Sequence, residues 1–151
     1  VEQAEAAVVL TGGPVMTLDP KGRLAVPTRH VQPLQDWCSG QLKICKHRDG
    51  CLWLFPMPVW LRFQAFVDGL PSNEDSWRRF YLGSAQSLEV DSSNRILVPP
   101  ELREWAGLER EVLFMGVGAA FELWDAAAYK AREVATLAAG QPEALRKLVV
   151  R

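Results

Sequence analysis

Leu18-Asp19-Pro20-Lys21-Gly22-Arg23-Leu24-Ala25-Val26-Pro27 recurs 72 residues later as Val90-Asp91-Ser92-Ser93-Asn94-Arg95-Ile96-Leu97-Val98-Pro99. In both stretches an Asp and an Arg four positions apart lead into an alternating apolar run closed by Val-Pro. Self-similarity at a fixed spacing marks a repeated structural unit. The correspondence continues downstream. Leu42 and Ile44 match Val112 and Phe114 at an offset of 70, and Cys51-Leu52-Trp53-Leu54-Phe55 matches Ala120-Phe121-Glu122-Leu123-Trp124 at an offset of 69. Small loop deletions explain the shrinking offset. The chain then divides into an N-terminal extension (1–14), a first repeat (15–71), a second repeat with a preceding helix (72–140) and a C-terminal tail (141–151).

Within each repeat the pattern predicts the elements. Two short strands meet through the Asp-x-x-x-Arg turn as a tight hairpin, with Gly22 or Asn94 at the place that needs a positive φ. Leu24/Val26 and Ile96/Val98 lie on one face at period two, with Arg23 and Arg95 at the strand entrance. Proline ends each strand. Pro100 and Gly107 bracket a short helix that buries Leu102, Trp105 and Ala106; its counterpart spans about 28–37, with Pro33 limiting its regularity. Strands at 41–46 and 51–55 form a second hairpin, mirrored by 110–115 and 120–124. Each repeat closes on a helix. The first runs near 58–70 with Trp60, Phe63, Val67 and Leu70 at helical spacing. The second has Asp125 as N-cap, Tyr129, Val134 and Leu137 as inward candidates, and Gly140 with Pro142 as its stop. Ser72-x-x-Asp75 predicts a capped helix carrying Trp77, Phe80 and Tyr81 on one face, aromatics expected in the core or at subunit contacts.

Composition excludes several classes. With 48% hydrophobic and 23% charged side chains over 151 residues the chain can bury a core. No apolar run approaches the roughly 20 residues a membrane span needs. Glu2 and Glu5 stand where a secretory leader would be positive, so a cytoplasmic protein is expected. Cys38, Cys45 and Cys51 are odd in number and irregularly spaced, which predicts reduced thiols rather than a disulfide framework. Cys45, His47 and Cys51 flank a turn with no C-x-x-C pair and no fourth ligand, so no metal and no other cofactor is expected. Gly116-x-Gly118 reads as a turn, because it lacks the third glycine and following helix of a dinucleotide loop.

Net charge is −1, but it is unevenly distributed. Residues 15–48 carry Lys21, Arg23, Arg29, Lys43, Lys46 and Arg48 against Asp19 and Asp36, a net +4. Residues 85–128 carry Arg95, Arg103 and Arg110 against eight carboxylates, a net −5. That asymmetry points to an anionic partner for the first half.

The paired segments, each followed by hairpin and helix over roughly residues 15–137, resemble the MraZ family within the wider AbrB/SpoVT group of swapped-hairpin DNA binders. Leu54-Phe55-Pro56 and Glu122-Leu123-Trp124-Asp125 look like the matching family segments. The resemblance implies an α+β chain made of two tandem AbrB/SpoVT-like swapped-hairpin β-barrel repeats with flanking helices. It also implies a nucleoid-associated homo-oligomeric ring that regulates the division and cell-wall gene cluster by binding double-stranded DNA at spaced direct repeats. The DNA-contacting positions it indicates are Asp19, Lys21, Gly22, Arg23, Arg29, Asp91 and Arg95. Three features depart from the family pattern: residues 1–14, Val31 where a basic residue is common, and Asn94 in place of glycine.

An arginine at a strand entrance can grip phosphate oxygens or guanine O6/N7 with two parallel N–H groups, while aspartate orients the turn. The structural alternative is an Asp–Arg pair that merely braces a turn. Arg23, in the basic segment, favours DNA contact; Arg95, among carboxylates, admits both readings. No Ser/Cys/His constellation or metal spacing suggests an enzyme, and no small-molecule substrate is expected. The competing class is an oligomeric scaffold or antitoxin-like protein-interaction module with secondary DNA binding.

Overall fold

The computed structural model describes residues 8–150; residues 1–7, including Glu2 and Glu5, and Arg151 lie outside the described residues. The chain is mixed α+β with antiparallel sheets. Its strands are β1 (Val15–Thr17), β2 (Arg23–Ala25), β3 (Gln41–Lys46), β4 (Leu52–Pro56), β5 (Gln86–Glu89), β6 (Arg95–Leu97), β7 (Glu111–Val117) and β8 (Ala120–Asp125). Its helices are α1 (Thr28–Cys38), α2 (Met57–Asp68), α3 (Asp75–Ser84), α4 (Pro100–Trp105), α5 (Ala126–Ala139) and α6 (Glu143–Arg146). Six strands form one sheet in the order β1-β7-β8-β4-β3-β5, and β2 pairs with β6 in a separate ribbon.

The expected hairpins β3–β4 and β7–β8 are present. The hairpin expected across each Asp-x-x-x-Arg turn is not. The turn itself closes, with Asp19 N–H bonded to the Arg23 carbonyl and a single Leu18–Leu24 bridge. Beyond it the strands part: β1 pairs with β7, β5 with β3, and β2 with β6, so each partner comes from the other half of the sequence repeat. A two-stranded hairpin of three-residue strands is marginal in water. Pairing across the repeats lets Leu24 and Ile96, directly opposed, both bury completely.

Period-two alternation then sorts the side chains. Leu42 and Ile44 of β3 and Leu52 and Leu54 of β4 join Val112, Phe114, Phe121 and Leu123 in one cluster, which also receives Leu24, Ile96 and Val98 from the ribbon side. Cys45, Phe55, Val59 and Trp60 form a second cluster on the opposite face, against which Trp53, Phe63 and Tyr81 pack. Residues 8–14 are part of this body: Leu10 is buried and bridges Gly118.

Several local expectations fail for identifiable reasons. Ser72 caps nothing; it opens a 3-10 turn, and α3 starts at Asp75 without a side-chain cap. Trp105 is 39% exposed because α4 stops there, its indole lying under the Lys46 ammonium. Val134 and Leu137 are 68% and 76% exposed: α5 touches the sheet at β7 and β8, and among the described residues no further layer covers these two side chains. Asp125 does cap α5, its Oδ2 accepting the Ala128 N–H at 3.0 Å, and Gly140 ends it. Among the described residues no helix is long and apolar enough to cross a membrane.

Candidate nucleic-acid interface

The β2–β6 ribbon has two unlike faces. Leu24 and Ile96 point inward, so Arg23, Ala25, Arg95 and Leu97 point outward. The register opposes Arg23 to Leu97 and Ala25 to Arg95. The two arginines, far apart in sequence, are therefore diagonal neighbours on one exposed face, where such pairs stand about 7–8 Å apart.

At the first turn Asp19 acts as a clamp. Its Oδ1 accepts the Lys21 and Arg23 backbone N–H groups at 2.9 and 2.8 Å, and its Oδ2 accepts the Arg23 Nε–H at 2.6 Å. The Arg23 backbone N–H and then its guanidinium hold the Asp19 carboxyl below its usual range. With Nε engaged, the two terminal amino groups of Arg23 are the donors left as a fork.

The second turn repeats the backbone geometry and loosens the side chain. Asp91 Oδ1 accepts the Ser93 and Arg95 N–H groups at 2.8 and 2.9 Å, and the Arg95 backbone N–H is the main cause of its lowered pKa. Arg95 Nε stands 3.7 Å from Asp91 Oδ2 and has no hydrogen-bond partner although it is buried. The Arg23 charge also acts on Asp91, as the shared face requires.

Lys21 is exposed beside the first turn. Gly22 adopts φ +89°, and a Cβ there would lie 2.6 Å from the guanidinium carbon of Arg103, whose Nε donates to the Val98 carbonyl at 2.9 Å. Asn94 adopts φ 60° at the matching place. The repeat places Val31 where Arg103 would correspond, and the hollow beside Asn94 is lined by Val31, Gln32, Thr28 and Ser93. Arg29 lies outside the ribbon: its guanidinium bonds the Thr11 carbonyl and fills the space a Cβ on Gly12 would need. Sequence reasoning missed Arg103 and the exposed Leu97. Extending the repeat alignment past the proline would have exposed the first; the second depends on a strand pairing that no local pattern encodes.

The cysteine-histidine turn resolves differently from its sequence spacing. His47, Cys51 and Glu122 bring one potential ligand atom each within 4.8 Å of one another, whereas Cys45 faces the second cluster, its thiol pushed up to about 12 by burial. His47 Nδ1 accepts the Asp49 backbone N–H at 3.0 Å, so a neutral ring carries its proton on Nε2, which faces Glu122 Oε2 at 3.5 Å. That ring offers a hydrogen to the carboxylate rather than a lone pair to an ion.

Comparison with known proteins fits this construction. A family model described as "MraZ protein, putative antitoxin-like" matches residues 81–145. Proteins named transcriptional regulator MraZ from Burkholderia mallei and Burkholderia pseudomallei are each 50% identical over 135 residues, covering 89% of this chain and 95% of the relative. The chain belongs to the MraZ family. The MraZ protein of Ralstonia nicotianae is 48% identical over the same coverage. These relatives are named as transcriptional regulators.

Proposed function

We propose that this chain is a sequence-specific DNA-binding transcriptional regulator. Its DNA-contacting surface is the outer face of the β2–β6 ribbon with its two turns. Arg23 and Arg95 are the reading side chains, Asp19 and Asp91 orient them, Lys21 and Arg29 add positive charge at the rim, and Gly22 lets the backbone turn close. The observation that carries the reading is the convergence of two arginines from opposite halves of the chain on one exposed face. A two-stranded ribbon of this kind fits the major groove. In this reading the exchange of β1, β2, β5 and β6 between the repeats is the AbrB/SpoVT-like swapped hairpin, folded within one chain, with the repeats at 15–71 and 72–140.

Few contacts per protomer require several protomers on spaced sites, since linked sites raise effective concentration without new contacts. We propose that the assembly is a homo-oligomeric ring acting on direct repeats ahead of the division and cell-wall genes, in the cytoplasm at the nucleoid; the need for several protomers and the family resemblance support it. The exposed apolar side chains of α5 supply a surface for assembly, and would equally serve a scaffold or antitoxin-like module. The deciding experiment is an anisotropy titration of the chain against DNA upstream of its own coding sequence at several salt concentrations. Phosphate contact predicts an affinity loss of orders of magnitude between about 50 and 200 mM salt. A flat dependence would exclude phosphate contact, and protein capture without DNA affinity would favour the scaffold.

A further inference from the structure

Leu97 is the anomaly of the ribbon. It is 55% exposed, stands directly opposite Arg23, and borders an open hollow with Leu88, Pro99 and Pro100 that leaves it uncovered. An exposed leucine between two arginines does nothing for a surface designed only to hold phosphates. The major-groove edge of DNA, however, offers one apolar group, the thymine 5-methyl.

We propose that Leu97 is a specificity-determining residue that packs on a thymine methyl beside the base pair gripped by Arg23; this rests on the DNA-binding reading above. The geometry supports one contact next to the other. Directly opposed Cβ atoms in an antiparallel pair lie about 4.5–5.5 Å apart, between one and two of the roughly 3.4 Å steps between bases along one strand, a gap the side chains can close. Because Asp19 holds Arg23 Nε, the two terminal amino groups remain as a fork of the kind that fits guanine O6 and N7. The pair Arg23/Leu97 thus reads a guanine and a neighbouring thymine. The matching pair Arg95/Ala25 has a shorter apolar member and an arginine whose Nε is unheld, so it reads the neighbouring position less strictly. The site is composite: Arg23 comes from the first repeat and Leu97 from the second.

The test selects duplexes from a random pool with the full chain, then titrates the selected site with each thymine replaced singly by deoxyuridine. Deoxyuridine keeps every hydrogen-bonding group and lacks only the methyl. One thymine next to a protected guanine should weaken wild-type binding about fourfold on replacement, the factor that burying one methyl supplies. Leu97→Ala should bind both duplexes equally, and Leu97→Met should restore the preference. Uniform wild-type affinity across all replacements, a selected site without thymine, or an unchanged preference in Leu97→Ala each overturns the inference. The last result with a smaller assembly in light scattering would assign Leu97 to contact between copies. Failure to retain any duplex would instead defeat the DNA-binding reading itself, which salt-dependent binding indifferent to the methyl would leave standing.

Discussion

The turn at Asp19–Arg23 and the turn at Asp91–Arg95 share a backbone and differ in everything attached to it. Both aspartates accept the N–H groups two and four residues on, and both turns need a positive φ at their third interior position. The arginines differ: one Nε is 2.6 Å from its carboxylate, the other 3.7 Å. The surroundings differ as well, since Gly22 lies under Arg103 while Asn94 faces a hollow beside Val31. The aspartate's backbone bonds are what the fold requires twice. The held fork, the basic neighbours and the overlying guanidinium belong to the first turn alone, so the repeat preserves architecture while the chemistry diverges.

The comparison is sharpest where the repeats should be equal. Leu24 and Ile96 oppose each other in the ribbon and are both essentially inaccessible. Leu24→Ala and Ile96→Ala should each cost about 2–5 kcal/mol, a large part of the roughly 5–15 kcal/mol a domain holds. Urea unfolding at fixed protein concentration checks this. A large loss at one position with none at the other would mean that the ribbon is not a shared core element.

On the outward face the same comparison should become unequal. Arg23→Ala should cost about 1–3 kcal/mol of DNA binding per contacting protomer, with only a small drop in melting temperature from the lost Asp19 bond. Arg95→Ala should cost less binding, because its guanidinium is not held and carboxylates crowd its sequence neighbourhood. Paired titrations on one duplex, with thermal melts as folding control, decide it. Normal binding by Arg23→Ala with abolition by Arg95→Ala would transfer recognition to the second turn.

How much of this was legible in sequence follows from the range of the interactions. The α1 and α2 segments, the hairpins β3–β4 and β7–β8, the α5 cap at Asp125 and its stop at Gly140 are set by residues within a few positions, and pattern finds them. The 72-residue repeat pointed to both turns. What it could not state was that β2 would pair with β6 rather than with β1, because that choice depends on burying Leu24 against Ile96 across the chain. The exposure of Val134 and Leu137 was hidden for a related reason: periodicity shows that a helix has an apolar side, and only the fold shows whether a layer covers it. That the Arg29 guanidinium bonds the Thr11 carbonyl was hidden likewise, since the two residues are 18 positions apart.

A smaller effect separates the two turn residues. Gly22→Ala places a Cβ at positive φ and 2.6 Å from the Arg103 guanidinium carbon, so about 1–2 kcal/mol of stability should be lost. Asn94→Gly should change little, since asparagine tolerates the left-handed region and nothing overlies it. Adding Arg103→Ala to Gly22→Ala should recover part of the loss, which thermal melts of the double variant would reveal. Recovery of none of it would assign the whole cost to backbone strain.

The smallest expected difference lies in acid. Asp19 and Asp91 both have folded pKa values below the ordinary 3.8, chiefly because each carboxylate accepts the backbone N–H of its own arginine. A lowered folded value means that the unfolded chain binds the proton first. The stabilisation is therefore complete above the ordinary value and is lost as pH falls through the folded value. Asp19 also accepts the Arg23 Nε–H, a side-chain bond that Asp91 does not make, so protonation of Asp19 removes one more interaction. Solvent screens both groups, which keeps the effect modest. Melting temperature measured from pH 6 down to about pH 2.5 should be flat at first and then fall. Asp19→Asn should flatten that fall more than Asp91→Asn, because it removes the carboxylate with the larger stake in staying ionised. Equal flattening by the two variants would show that the Arg23 clamp contributes nothing in solution, and the contrast between the turns would then rest on Arg103 and the neighbouring charges alone.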